Sequence, residues 1–155
     1  MDAASGATQH HNVKQAVPFF LVSDMERSLK YYVDGLGFEM KNKWVHEGKL
    51  RWCWLQLGDA AVMLQQFEIG TAHARAHGAK FGEGVSIYFI CEDALRIYQE
   101  VVARNIPASE PFVGNHMWVT RLSDPDGYRI IFESNTDVPE GTKISDRELK
   151  NKNKK

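Results

Sequence analysis

Hydrophobic residues in this chain recur in short blocks whose period alternates between two residues and the helical repeat. Residues 17–22 (VPFFLV) form a short apolar run with the length and composition of a strand. Ser23 and Asp24 then offer an N-cap, and MERSLKYYVDGL places Met25, Leu29, Tyr32 and Leu36 at spacings of three and four. That spacing predicts a helix with one buried stripe, stopped by Gly35 or Gly37. Strand-like runs follow at 38–45, 51–57 and 60–67, punctuated by Glu47-Gly48 and Gly58-Asp59 as turns. The order is βαβββ.

The same order returns after a polar stretch at 68–83. Residues 85–90 (VSIYFI) read as a strand, Glu92-Asp93 as a cap, and ALRIYQEVVARN as a helix with Leu95, Tyr98, Val101 and Val102 on one side. Strands are expected near 108–112, 116–122 and 128–133, with Asp124-Pro125-Asp126-Gly127 turning the last hairpin. Displacing the first half by 68 or 69 positions lays Val17 on Val85, Asp24 on Glu92 or Asp93, and Val62-Met63-Leu64 on Ile130-Ile131-Phe132. This is an internal repeat. One helix covers one face of a four-stranded sheet, so the opposite faces must meet each other or a ligand. The expected fold is α+β, two βαβββ half-repeats forming a curved eight-stranded cup. Residues 1–15 and 135–155 read as polar, poorly ordered tails around a single domain at 16–134, with halves at 16–67 and 84–134 and a connector at 68–83.

Composition narrows the function classes. At 155 residues and 43% hydrophobic content the chain can bury one sizeable core. Lysine plus arginine (19) nearly balance aspartate plus glutamate (20), so no broad cationic field exists to hold nucleic acid or an anionic membrane. Cys53 and Cys91 sit in apolar runs without ligand spacing, which suits a reducing cytoplasm better than a disulfide framework. No stretch approaches the roughly 20 apolar residues of a membrane span, and the polar start lacks a signal core, so neither membrane insertion nor export is expected.

The order βαβββ-βαβββ, with DMERSLKYYVDGLGF after the first strand and DPDGYRIIFES at the close, resembles the vicinal oxygen chelate superfamily of glyoxalases, bleomycin-resistance proteins and extradiol dioxygenases over about residues 16–134. Metal-dependent members carry a His, Gln or Glu ligand near the start of the first strand and on the last strand of each half. Matched motif to motif, those positions fall here on Val17, Ser86, Met63 and Ile131. A catalytic metal needs about three nitrogen or oxygen side chains converging on it. The resemblance therefore implies a member without the usual metal and with no cofactor.

Side chains two apart on a strand share a face, so Gln65 goes with Met63 and Glu133 with Ile131. If the cup resembles its family, both polar groups point into it. Glu133 can bind a ligand cation or take a proton, and Gln65 can orient a ligand, although each can equally meet water or backbone at the rim. Trp52 and Trp54 project from one face and can form a stacking wall; Trp118, Tyr88, Ser86 and the Met63 and Ile131 positions complete the expected ligand-binding set. His116 is a second candidate for proton transfer beside Glu133. His73 and His77 stand four apart in the connector, without a third ligand nearby. Arg121 is assigned no role.

Two classes of function follow. One is a cytoplasmic, metal-free binding protein resembling bleomycin-resistance proteins, a homodimer that sequesters an aromatic or cationic small molecule in a cleft. The other is a glyoxalase-like lyase or isomerase that uses Glu133 or His116 for proton transfer. Whether the chain is an enzyme stays open at this level.

Overall fold

The computed structural model describes residues 12, 14–66 and 81–147. The first half contains β1 (Phe19–Val22), α1 (Met25–Leu29) continued by a π-helical turn (Lys30–Gly35), β2 (Glu39–His46), β3 (Lys49–Leu57) and β4 (Ala60–Gln66). The second contains β5 (Ser86–Ile90), α2 (Ala94–Ala103), β6 (Phe112–Gly114), β7 (Met117–Ser123) and β8 (Arg129–Asn135). The architecture is α+β, with two four-stranded sheets ordered β1-β4-β3-β2 and β5-β8-β7-β6, not closed into a barrel. In each half the first strand pairs parallel to the last. The connector histidines His73 and His77 lie outside the described residues.

Both helices among the described residues start as their caps predict. The Asp24 carboxylate accepts from the Arg27 N–H, and the Asp93 carboxylate from the Leu95 and Arg96 N–H groups. Each helix is also pinned to the last strand of its own half at its first residue. Met25 N–H donates to Gln66 Oε1 (3.0 Å) and Ala94 N–H to Ser134 Oγ (2.9 Å). Gln66 and Ser134 are equivalent positions of the repeat, so the duplication extends to this capping device.

Helix α1 tightens its hold on the core by losing its regular period. Leu36 N–H reaches back to Tyr31 O (2.9 Å) and Phe38 N–H to Tyr32 O (2.9 Å). In a regular helix adjacent residues point about 100° apart. The wider turn lets Tyr31 (6% exposed) and Tyr32 (0%) both be buried. No such irregularity occurs in α2, and there Val102, expected on the buried side next to Val101, faces solvent at 45% exposure while Val101 is at 2%. Strand pairing expected at 108–112 begins only at Phe112, with Ala108 making an isolated bridge to Leu122. Pro107 and Pro111 lack the N–H that a ladder requires. Residues beyond 134, read as tail, continue β8 to Asn135 and then fold back along β6. There Gly141 N–H donates to Val113 O, Val113 N–H to Thr142 O, and Ile144 N–H to Pro111 O, which covers an otherwise unpaired sheet edge.

The halves share one hydrophobic cluster, joined through the turn between β7 and β8. Asp124 is buried there; its Oδ2 accepts from Tyr32 OH (2.8 Å), and its Oδ1 from the Asp126 and Tyr128 N–H groups. Asp126 accepts from the Ser23 N–H and hydroxyl. Tyr128 stacks on Phe20 with ring centroids 4.2 Å apart and donates its hydroxyl to Leu21 O (3.0 Å). Gly82 packs so closely on this turn that an added Cβ would lie 2.0 Å from the Gly127 carbonyl.

Burial raises the Asp124 carboxyl above its ordinary value, against the hydrogen bonds that favour its charged form. The native chain then binds that proton more readily than the unfolded chain, so this group's stabilising share is full below about 3.9 and is lost as pH rises through the folded-state value. Two outcomes are expected from urea unfolding. Tyr32→Phe lowers the unfolding free energy by about 1–3 kcal/mol, because it leaves a buried carboxylate oxygen unpaired. Asp124→Asn gains stability relative to the native chain as pH is raised through the window above about 3.9.

Candidate functional site

Strand alternation divides each sheet into a helix-facing and a concave side. In the first sheet Phe20, Val22, Cys53, Leu55, Val62 and Leu64 belong to the buried core. The intervening residues share the other face, since directly paired residues project together. Trp52 pairs with Gln65, Trp54 with Met63, and Trp44 with Trp52. From β1, Phe19 pairs with Met63 and Leu21 with Gln65. The result is an aromatic wall with one amide, and the half-exposed Phe19 and Trp44 widen it.

In the second sheet Ile87, Phe89, Thr120, Leu122, Ile130 and Phe132 turn toward the helix side, where Thr120 Oγ1 donates to Ala94 O (2.8 Å). The concave side carries three rows across β5, β8 and β7: Ser86, Arg129, Ser123; then Tyr88, Ile131, Arg121; then Ile90, Glu133, Val119. The first two rows line a cavity of about 770 Å³, together with Pro107, Ala108, Ser109 and Leu122. Tyr88 at 53% and Ile90 at 71% exposure leave an apolar surface open at its side.

Of the residues singled out from sequence, Trp52, Trp54, Met63 and Gln65 share the concave face of the first sheet, and Ser86, Tyr88, Ile131 and Glu133 that of the second. Two others fall elsewhere. Trp118 pairs with Ser134, whose hydroxyl meets the first residue of α2, and it is buried on the helix side with the Arg147 guanidinium 5.8 Å from its ring centre. It shares the parity of Thr120 and Leu122, and that alternation is the signal by which it could have been assigned to the core. His116 sits with Asn115 in the exposed β6–β7 turn, both at positive φ (59° and 52°), their N–H groups held by the Glu140 carboxylate. Those two bonds keep the Glu140 carboxyl below the usual carboxylate range. His116 is therefore placed by its backbone at the rim. Sequence reasoning passed over Arg121, Arg129 and Phe19, whose role depends on which strands are neighbours.

The metal that the family resemblance implies for some members can be tested against the donor set. By strand register Met63 stands beside Phe19 and Ile131 beside Tyr88, rather than beside the Val17 and Ser86 expected from matching motifs. This set offers a thioether and a phenol at most, and among the described residues no three His, Cys, Asp or Glu side chains converge. These residues do not fit a divalent metal centre. Nor do the cysteines suit nucleophilic work: burial pushes the Cys53 thiol up to about 11, and burial likewise raises Cys91.

A family model described as the Glyoxalase/Bleomycin resistance protein/Dioxygenase superfamily matches residues 10–132. No curated protein matches the chain. Among solved structures, a glyoxalase family protein from Bacillus anthracis is 18% identical with a TM-score of 0.60, over 82% of this chain and 100% of that one. TnmS3, an antibiotic binding protein from Streptomyces sp. CB03234, is 18% identical with a TM-score of 0.61, over 82% and 100%. TioX from Micromonospora sp. ML1 is 16% identical with a TM-score of 0.59, over 81% and 99%. At these identities the likeness is one of fold.

The two kinds of tryptophan separate experimentally. Acrylamide is expected to quench Trp44, Trp52 and Trp54 readily, and Trp118→Phe to remove the protected fraction of the emission. Trp118→Ala should cost about 3–5 kcal/mol in urea unfolding, as large core truncations do; a protected fraction that survives Trp118→Phe would put a different tryptophan in the core.

Proposed function

Because the chain belongs to the Glyoxalase/Bleomycin resistance protein/Dioxygenase superfamily, we propose that it is a binding protein that sequesters a flat aromatic compound on its concave face without a metal. Small-molecule binding is what the family and its antibiotic-binding structural neighbour support. The observation that carries the finer reading is the pairing of Trp52 with Gln65 and of Trp54 with Met63, which sets two indoles, a thioether and an amide side by side on an uncovered sheet face. Aromatic walls with a few oriented polar groups are how small-molecule sites are commonly built.

A second copy of the chain completes the cleft in this reading. Phe19 on the first sheet and Tyr88 with Ile90 on the second are large apolar side chains left about half exposed or more, surface that a partner copy would cover. The lyase alternative draws less support from the geometry. Glu133 pairs with Val119, whereas His116 precedes β7 in the β6–β7 turn, three residues before Val119 and about 10 Å of chain away.

Titration of the full chain with polycyclic aromatic drugs and glycopeptides tests the reading through tryptophan emission. Saturable quenching is expected, with affinity reduced about tenfold in Trp54→Ala, the loss of one stacking anchor. Emission unchanged by every such compound would refute it. In sedimentation equilibrium the chain is expected at twice its 17.6 kDa mass.

A further inference from the structure

Resting on the reading of the concave face as a binding face, we propose that the cavity of the second half is an oxyanion site, so that the ligand is an aromatic or apolar acid whose carboxylate or phosphate is held by Arg121 and Arg129. Arg121 and Arg129 both line the 770 Å³ cavity, and among the described residues no acidic side chain lines it with them. Arg121 pairs directly with Ile131, which places Arg129 diagonally across from it on the same face. Side chains so placed stand about 7–8 Å apart, within reach of one another for residues this long. An oxyanion lying between them would be held by both charges.

The usual neutralising partners are missing. Among the described residues neither arginine forms an ion pair or a hydrogen bond through its side chain. Glu133 lies on the other diagonal of Arg121, yet the Arg121 guanidinium rests instead over the Phe112 ring, 4.6 Å from its centre. That cation–π contact restrains the side chain while leaving its edge donors open. Ser86 and Ser123 flank Arg129 on either side by direct pairing, and Ser109 closes the rim. Their hydroxyls have no protein partner among the described residues. Forked donors supplemented by hydroxyls match the two or three oxygens of a carboxylate or phosphate. Beside them the half-exposed Tyr88, next to the buried Ile131, gives an apolar shelf for the body of the ligand. A cationic ligand group at this end would face two positive charges.

Matched probes test the site on the full chain. Naphthalene-2-carboxylate, naphthyl phosphate and the neutral naphthalene-2-carboxamide share one aromatic body and differ in charge, and calorimetric titration of each gives the affinity. At least one anion is expected to bind about tenfold or more tighter than the amide, the worth of a charge-assisted hydrogen bond. In Arg121→Gln/Arg129→Gln that preference disappears while the amide affinity is kept. Whether carboxylate or phosphate binds tighter identifies which oxyanion the site is built for. Equal affinity for both anions and the amide in the native chain overturns the oxyanion site and leaves the aromatic cleft standing. Failure of all three to bind at millimolar concentration overturns both.

Discussion

The hydrogen bond from Tyr32 OH to the buried Asp124 carboxylate is the point on which the two halves of this molecule depend. A carboxylate with little access to water requires donors, and Asp124 takes them from its own turn and from the helix of the other half. Around it Asp126 holds Ser23, Tyr128 stacks on Phe20, and Gly82 closes against Gly127. These contacts set the β1 and β5 edges on either side of an apolar seam lined by Pro18, Phe20, Val85, Ile87 and Tyr128. The helices and the turn are committed to this junction; the opposite face stays partly exposed in the first sheet, and in the second it joins the exposed Tyr88 and Ile90 to the buried Ile131 and Val119.

That division of labour explains why the concave faces look unlike the rest of the chain. On the helix side nearly every strand residue is a fully buried aliphatic or aromatic group. On the concave side the same strands carry tryptophan, methionine, glutamine, serine and arginine, with large apolar groups half exposed. A sheet face kept apolar but uncovered carries a solvation cost that an occupant relieves. The two halves have diverged in what they offer: an aromatic wall in the first, a basic, hydroxyl-lined hollow in the second. Both faces are built over one shared hydrophobic cluster.

Much of this was legible from the chain itself. The periods of two and 3.6, the Asp24 and Asp93 caps and the Asp-Pro-Asp-Gly turn are local signals, governed by backbone geometry within a few residues, and they specified the repeated βαβββ order and the single-face placement of Trp52 with Trp54 and of Met63 with Gln65. Parity along one strand needs no knowledge of its neighbours. The same argument applied to Trp118, had it been followed through Thr120 and Leu122, assigns that residue to the core.

What only the tertiary structure decided are the relations between segments far apart in sequence. The π-helical turn that buries Tyr31 beside Tyr32, the return of residues 136–147 along β6, and the diagonal of Arg121 and Arg129 all depend on packing and register. A one-residue slip in register would reverse each face, and no local pattern excludes it. The sequence by itself therefore determined the elements and their order. The fold alone decided which of the polar groups meet across strands, because only closure of the sheets brings residues tens of positions apart onto one face.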